Sequence, residues 1–515
     1  MGTKIDKERK QEAKILKFVW DFNQSWSFMR MIKSTILVLV LFTLGASALQ
    51  YSNHLVKETP LKGYFQLREA PYLKLFTWRK WFSSAFQDDY ASRLNDNIGF
   101  RNSLIRVNNQ CDYTLLGLIH AQGFIRGQQQ YLFEEDYIHE YTGEYFIGKT
   151  VIDKKLARLK NVMDSLKAHH VPLLLVYEPG KAGFYPEYIP GRFHPEKGSQ
   201  TNYDYMTRRS QELGLEFMDM HSYFLKMKDT ARYPLFPKYG MHWSLYGVPF
   251  AVDTLVKSIE RLTGTGVPGF KTQKLIPSET PVGTDNDIGQ LLNLIFPLSP
   301  APAVYPSVSF EKTPAKKLSV LVIADSYYDN IADDYSNHLF ARQDFWYYNK
   351  KVYPYHNQTP PVLVDKSNLR EKLINYHVIL LMASEINLHC GFWNFADEAF
   401  LAFHPEIKDP LIYNIENEIR NDRDWFRFMV NKARLQGKPL EEMVKEDAGY
   451  TFNSNYSNLQ GKSYWDTIYH ITFDIKNNAE WLAQVENKAK DRNIALDSML
   501  LLDAIYSYGQ SKKNH

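Results

Sequence analysis

Cysteine is nearly absent from this chain: 515 residues hold two, Cys111 and Cys390. Two distant thiols make neither a metal motif nor a disulfide framework, and whether they pair with each other is left open. Excess charge of one sign is also missing. The formal balance is +3 at pH 7, so no global field points to nucleic acid. Long apolar runs are scarce. Only Ser34 to Leu49 (STILVLVLFTLGASAL) combines length with a complete lack of charge, which excludes a channel or multi-pass carrier. Hydrophobic residues make up 44% and charged residues 23%, which excludes long disorder. Aromatic residues are plentiful at 15%, with 34 Tyr and 10 Trp. Such rings serve core packing or sugar faces, and composition does not choose between the two. At this length two or three domains are expected.

The uncharged run of 34–49 is slightly short for a bilayer span of about 20 residues, yet too long for a soluble strand. Lys4, Lys7, Arg9, Lys10, Lys14, Lys17, Arg30 and Lys33 precede it. The positive-inside rule keeps residues 1–33 in the cytoplasm and sends everything after Gln50 across the membrane. Residues 34–50 therefore read as a signal anchor of the inner (cytoplasmic) membrane, single-pass, with the main body in the periplasm. Ala46-Ser47-Ala48 also fits a signal-peptidase site. Cleavage after Ala48 is the alternative, and the long leader favours the anchor.

Beyond the membrane, residues 51–150 read as a helical region ending in a hairpin over Gly123–Phe133. An α/β pattern occupies 151–410. Ile152, Leu156, Leu159, Met163 and Leu166 recur at helical spacing, and Val248, Val252, Leu255, Ile259 and Leu262 line a second helix. Val171–Tyr177, Leu215–Met220, Leu318–Ala324 and His377–Met382 read as strands, the apolar ones as buried parallel strands. The order implies a mostly parallel sheet with helices on both faces, whose ligands bind at the carboxyl ends of the strands. Residues 264–313 are rich in Pro, Gly and Thr without periodicity and read as a lid insertion. The tail, 411–515, holds a duplication at an offset of 56 residues. Trp425 and Trp481, Lys432-Ala433 and Lys488-Ala489, Met443 and Met499, and Asp447-Ala448 and Asp503-Ala504 all match in register. It reads as a helical packing or docking module, each unit two helices with a turn near Gly437 or Asn493.

Chemistry concentrates at two points. Ala324-Asp325-Ser326-Tyr327 follows the third buried strand, so Ser326 projects from the sheet's carboxyl edge, where backbone amides stabilise an oxyanion. A serine needs a base. His242, in Tyr239-Gly240-Met241-His242-Trp243, lies after the second strand and before a helix, at the same edge. Asp285-Asn-Asp-Ile-Gly289 lacks the spacing of a calcium loop. His169-His170, His389-Cys390 and His404 lack partner ligands. No metal and no cofactor are expected.

These residues sit among ordered motifs. Asn95-Asp-Asn-Ile-Gly-Phe-Arg101, the hairpin of 123–133, Glu178-Pro-Gly-Lys-Ala-Gly-Phe-Tyr-Pro-Glu-Tyr-Ile-Pro190, Met241-His242-Trp243 and Ala324-Asp325-Ser326 occur in that order, with His ahead of Ser. Over roughly 61–388 the chain resembles the alginate O-acetyltransferase family of SGNH-hydrolase-like proteins, the AlgJ/AlgX type. The resemblance implies an SGNH-like α/β fold and an O-acyltransferase, most simply an O-acetyltransferase, of an extracytoplasmic polysaccharide. Ser326 would be the nucleophile and His242 the base. The acyl donor would be supplied by a multi-pass membrane O-acyltransferase.

The chain departs from the family at Gly240, where the relatives carry the triad aspartate two residues before the histidine. Three readings are open. Another carboxylate substitutes, with Asp219, Asp285, Asp287 and Glu385 the candidates; the site works as a dyad; or it is inactive and the protein binds carbohydrate or assists assembly. A carbohydrate esterase differs from the transferase only in using water as acceptor. The topology is directly testable: a periplasmic-side reporter fused after Gly117 should be active, and one fused before Lys33 silent. An active early fusion would overturn the orientation.

Overall fold

The computed structural model describes residues 30–63, 76–193, 199–311, 317–355 and 360–456, and part of 468–513. The basic residues Lys4 to Lys17, the end of the expected lid at Thr313 and the second expected repeat turn at Asn493 lie outside the described residues. The chain divides into two compact units, residues 1–120 with 290–297, and residues 121–289 with 298–515.

In the first unit, Arg30–Asn53 is a single helix of mean hydropathy 2.0, long and apolar enough to cross a membrane. It extends the uncharged run at both ends, because the flanking polar residues continue the helical hydrogen bonding. Further helices cover Trp78–Phe82, Ala85–Asn97 and Arg101–Cys111.

The second unit opens on the expected hairpin, with β1 (Phe124–Arg126) antiparallel to β2 (Leu132–Glu134). Then come β3 (Leu173–Glu178), β4 (Phe217–Asp219), the pair β5 (Phe270–Ser278) and β6 (Ala303–Phe310), β7 (Ser319–Ala324), β8 (Arg342–Tyr347), β9 (Lys351–Val352) and β10 (Val378–Ser384). The main sheet runs β4-β3-β10-β7-β8-β9. Its first five strands are parallel and β9 closes the edge antiparallel.

Alternation along the strands sorts side chains to two cores. Leu173, Leu175, Leu321, Ile323, Ile379 and Leu381 meet the helix Lys149–Ala168, whose Ile152, Leu156, Leu159 and Leu166 are fully buried. Leu174, Val176, Val320, Val322, Leu380 and Met382 meet the helix Val248–Thr263 through Val252, Leu255 and Ile259. Both faces are covered, which is why these strands are apolar throughout. β8 was not legible because it lies near the edge: its residues are exposed or half-buried except Phe345 and Trp346.

Two segments differ from their sequence reading. Residues 264–313 are not without regular structure: β5 and β6 pair over Phe270↔Phe310 to Ser278↔Ala303. Pro277 and Pro306 hid the pair. Both are tolerated because a two-stranded ribbon has outward edges with no ladder partner.

The tail is also not one module. Helices Arg423–Gln436 and Leu440–Tyr456 recur as Ala479–Arg492 and Leu496–Lys513, both starts displaced by the 56-residue offset. The indole of Trp425 donates to Asp447 at 2.9 Å and that of Trp481 to Asp503 at 2.8 Å. Lys432 and Lys488 reach the same two carboxylates. The first copy, however, belongs to the main core. Ile419, Phe426, Met429 and Met443 are fully buried in the cluster that holds the sheet. Arg423 and Arg427 bond Asp136, and Arg158 grips Asp397 and Asp409. The second copy has its own small core of Ile468, Ile475, Val485, Met499 and Leu500. Each buried side chain of this size contributes about 1.5–3 kcal/mol, against a total stability of about 5–15 kcal/mol. Ending the chain after Tyr456 should therefore leave cooperative unfolding of the α/β domain intact, whereas ending it at Asp409 should abolish it. Circular dichroism melts of the two truncations check this.

Candidate active site

The carboxyl edge of the sheet collects the polar residues. β7 ends at Ala324, and Ser326 heads the 3-10 turn Ser326–Tyr328. An amide at the start of such a turn has no partner within the turn, so the Ser326 N–H is available to an oxyanion. Asp325 anchors the turn. One of its oxygens accepts the Tyr327 amide at 3.0 Å. The other accepts the Ser384 amide at 2.9 Å, its hydroxyl at 2.7 Å and the Asn387 side chain at 2.7 Å. The Ser326 turn is thereby fastened to the end of β10.

His242 comes from the loop before the helix Val248–Thr263. Its Nε2 lies 2.8 Å from the Ser326 hydroxyl, and its Nδ1 lies 2.9 Å from Asp287 Oδ2. A carboxylate only accepts, so Nδ1 carries the proton and the Nε2 lone pair faces the serine; this tautomer is assigned from its partners. The ring is nearly buried and packs edge-on against Tyr327 at 5.0 Å. Burial opposes the imidazolium, but the hydrogen bond and charge of Asp287, helped by Asp325 and Asp329, outweigh it, and the His242 pKa is raised. Asp329, one turn beyond Ser326, accepts the Tyr355 hydroxyl at 2.9 Å, and its burial pushes the carboxyl up to about 7.

Of the four candidate carboxylates only Asp287 meets His242. Asp285 lies beside it and accepts the Leu245 amide at 2.9 Å. Its burial, with the charge of Asp287, raises it to about 7. Asp219 caps the helix Met220–Met227 through the Ser222 amide and accepts the Tyr203 hydroxyl at 2.9 Å. Glu385 pairs with His221 in the interior.

Gly240 explains why the aspartate comes from elsewhere. A Cβ there would lie 2.1 Å from the Thr284 carbonyl and 2.8 Å from Pro237. The 283–289 turn occupies the space a side chain at 240 would need. It is stitched down by the Gly289 amide on the Tyr239 carbonyl at 3.0 Å and by the Met241 amide on Asp287 Oδ1 at 3.0 Å. Asp287 therefore holds both the ring and the backbone that carries it.

Sequence reasoning missed Asp325 as an anchor, Tyr327 as a wall and Glu178. Glu178 ends β3 fully buried. Burial and the adjacent Asp325 hold its carboxyl well above the usual range. The available signal was a charged residue closing an otherwise apolar strand. Both thiols are free, Cys111 exposed and Cys390 buried.

Residues 124–324 match the family described as SGNH hydrolase-like domain, acetyltransferase AlgX. The match contains His242 and Asp287 and stops two residues short of Ser326. A probable alginate O-acetylase AlgJ of Pseudomonas putida is 24% identical over 139 residues, 27% of this chain. The chain spans about a third, 34%, of that relative's length. Among solved structures, the O-acetyltransferase domain of Pseudomonas putida AlgJ is 18% identical with a TM-score of 0.36, covering 52% of this chain and 92% of that one. Pseudomonas aeruginosa AlgX is 15% identical with a TM-score of 0.35, covering 54% and 65%.

Placing a side chain at position 240 should harm this protein. Gly240→Asp should displace the 283–289 turn and lower the stability of the α/β domain by about 1–3 kcal/mol, the usual cost of overpacking. Urea denaturation followed by tryptophan fluorescence measures it; an unchanged midpoint would refute the steric account.

Proposed function

We propose that this chain, whose residues 124–324 match the SGNH hydrolase-like domain of acetyltransferase AlgX, is a membrane-tethered O-acyltransferase of a polysaccharide, working through Ser326, His242 and Asp287. The observation that carries the reading is one imidazole hydrogen-bonded to a serine at 2.8 Å and to a carboxylate at 2.9 Å. Ser326 Oγ attacks the acyl carbonyl while His242 Nε2 takes its proton, and the Ser326 amide receives the developing oxyanion. Asp287 fixes the tautomer and stabilises the imidazolium without taking the proton. Collapse of the tetrahedral adduct expels the donor's leaving group, which takes the proton from His242, and leaves an acyl-serine. A sugar hydroxyl then gives its proton to His242, attacks the acyl-serine and leaves as the ester, and the proton returns to Ser326. The name of the AlgJ relative, an alginate O-acetylase, supports an acetyl group and a polysaccharide acceptor. The membrane-length helix Arg30–Asn53 supports an anchor, the Lys and Arg residues ahead of it favour a periplasmic domain, and the resemblance to the family implies an acyl group supplied by a multi-pass membrane acyltransferase.

The full chain in detergent should turn over an activated acetyl ester through an acyl-enzyme. Ser326→Ala and His242→Ala should each abolish turnover, with the double variant no worse, because such residues act as a unit. Asp287→Asn should cost about 10²–10⁴ in kcat, and Asp219→Asn or Glu385→Gln far less. The pH dependence has a definite sign. The base works only when neutral, so kcat/KM should rise with pH through a value above the ordinary imidazole pKa of about 6.5, and Asp287→Asn should move that limb down. Full activity in Asp287→Asn would make the site a dyad. Absence of any acyl-enzyme, together with oligosaccharide binding, would favour a carbohydrate-binding protein.

A further inference from the structure

Lys181 follows β3 in Glu178-Pro179-Gly180-Lys181, a stretch the mechanism above does not use. Its side chain is 1% exposed, which lysine rarely tolerates. Nζ donates to three backbone carbonyls: Leu132 at 2.7 Å, Lys238 at 3.0 Å and Gly240 at 2.6 Å. Three acceptors take three protons. A neutral amine has only two N–H groups and would turn its lone pair on a carbonyl oxygen. Burial pushes the Lys181 pKa down to about 7, and the charges of Asp287 and Asp285 act the other way. The turn that presents it is itself tightly seated, since a Cβ at Gly180 would lie 2.5 Å from a Glu385 oxygen.

We propose that Lys181 is a positioning residue for the Ser326–His242–Asp287 site. Its ammonium clamps the carbonyls of Lys238 and Gly240, so that His242, two residues on, stays between Asp287 and Ser326. Its charge also opposes protonation of the imidazole. The inference rests on the acyl-transfer reading. The groups acting on His242 are Asp287, Asp325, Asp329 and Glu134, with the Tyr327 ring against its face. Glu134 is paired with Arg423. Lys181 faces Asp285, Asp287 and the rings of Tyr131 and Phe133, at 5.8 and 5.4 Å. Several carboxylates drive one imidazole toward its charged form, and the buried Lys181, which Asp287 and Asp285 act on, would be a cation set against them. Without it the His242 pKa should rise and the base be depleted at neutral pH.

Lys181→Gln, which keeps two donors and removes the charge, is the test in the full chain in detergent. Its kcat toward the activated ester should fall about 100-fold, the scale of a small misplacement in a catalytic group, with KM little changed. The acid limb of its pH profile should move to higher pH. A lysine that only holds the fold would lower stability and leave the limb in place. A folded variant with wild-type kcat, one with an unmoved limb, or one that does not fold at all would each overturn the proposal. The imidazole can be read separately from turnover. If the wild-type chain hydrolyses no ester, the acyl-transfer reading fails, yet a ¹³C NMR titration of His242, assigned with His242→Gln, still decides here. A higher His242 pKa in Lys181→Gln upholds the clamp, and an unchanged one overturns it.

Discussion

The arrangement at the sheet's carboxyl edge depends on how closely the 283–289 turn approaches the histidine loop. Because position 240 has no side chain, the Thr284 carbonyl comes within the space a Cβ would fill. That approach brings Asp287 to the imidazole and to the Met241 amide, and Asp285 to the Leu245 amide on the far side of the histidine. Two carboxylates therefore grip one loop on both flanks. Asp285 is buried at 1% exposure, and its bond to the Leu245 amide partners a group that is costly to bury alone.

The sheet supplies the other half of the geometry. Five parallel strands with helices on both faces leave one polar rim, where the strands end. Asp325 ties the serine turn of β7 to the end of β10, and the fully buried Glu178 ends the neighbouring strand β3. Ser326 is thus fixed by neighbouring strands of a packed sheet, while His242 is fixed by loops. Such loops need their own internal fastening, and buried charged groups supply it here.

The duplicated tail shows the same sequence unit put to two structural uses. Both copies keep the tryptophan–aspartate hydrogen bond and the lysine beside it, so the local fold follows from local pattern. The first copy nevertheless became part of the main core, through Phe426, Met429 and the arginines on Asp136. At the matching positions the second copy has Leu482 for Phe426, Ala479 for Arg423 and Ala483 for Arg427, so neither arginine recurs.

The sequence alone determined the elements whose residues speak for themselves. The apolar runs of β3, β7 and β10, the helical spacing of Ile152 to Leu166 and the repeat offset were all legible, because burial on both faces and period 3.6 leave direct traces; the place of Ser326 just after β7 followed from the run before it. Edge strand β8 and the β5–β6 ribbon left weak ones, since exposed strands need no apolar pattern. The tertiary structure alone decided which of four carboxylates meets the histidine. Asp219, Asp285, Asp287 and Glu385 are alike as residues. What separates them is the packing of a turn 45 residues beyond His242 into the space left by Gly240, a long-range contact that no local spacing encodes.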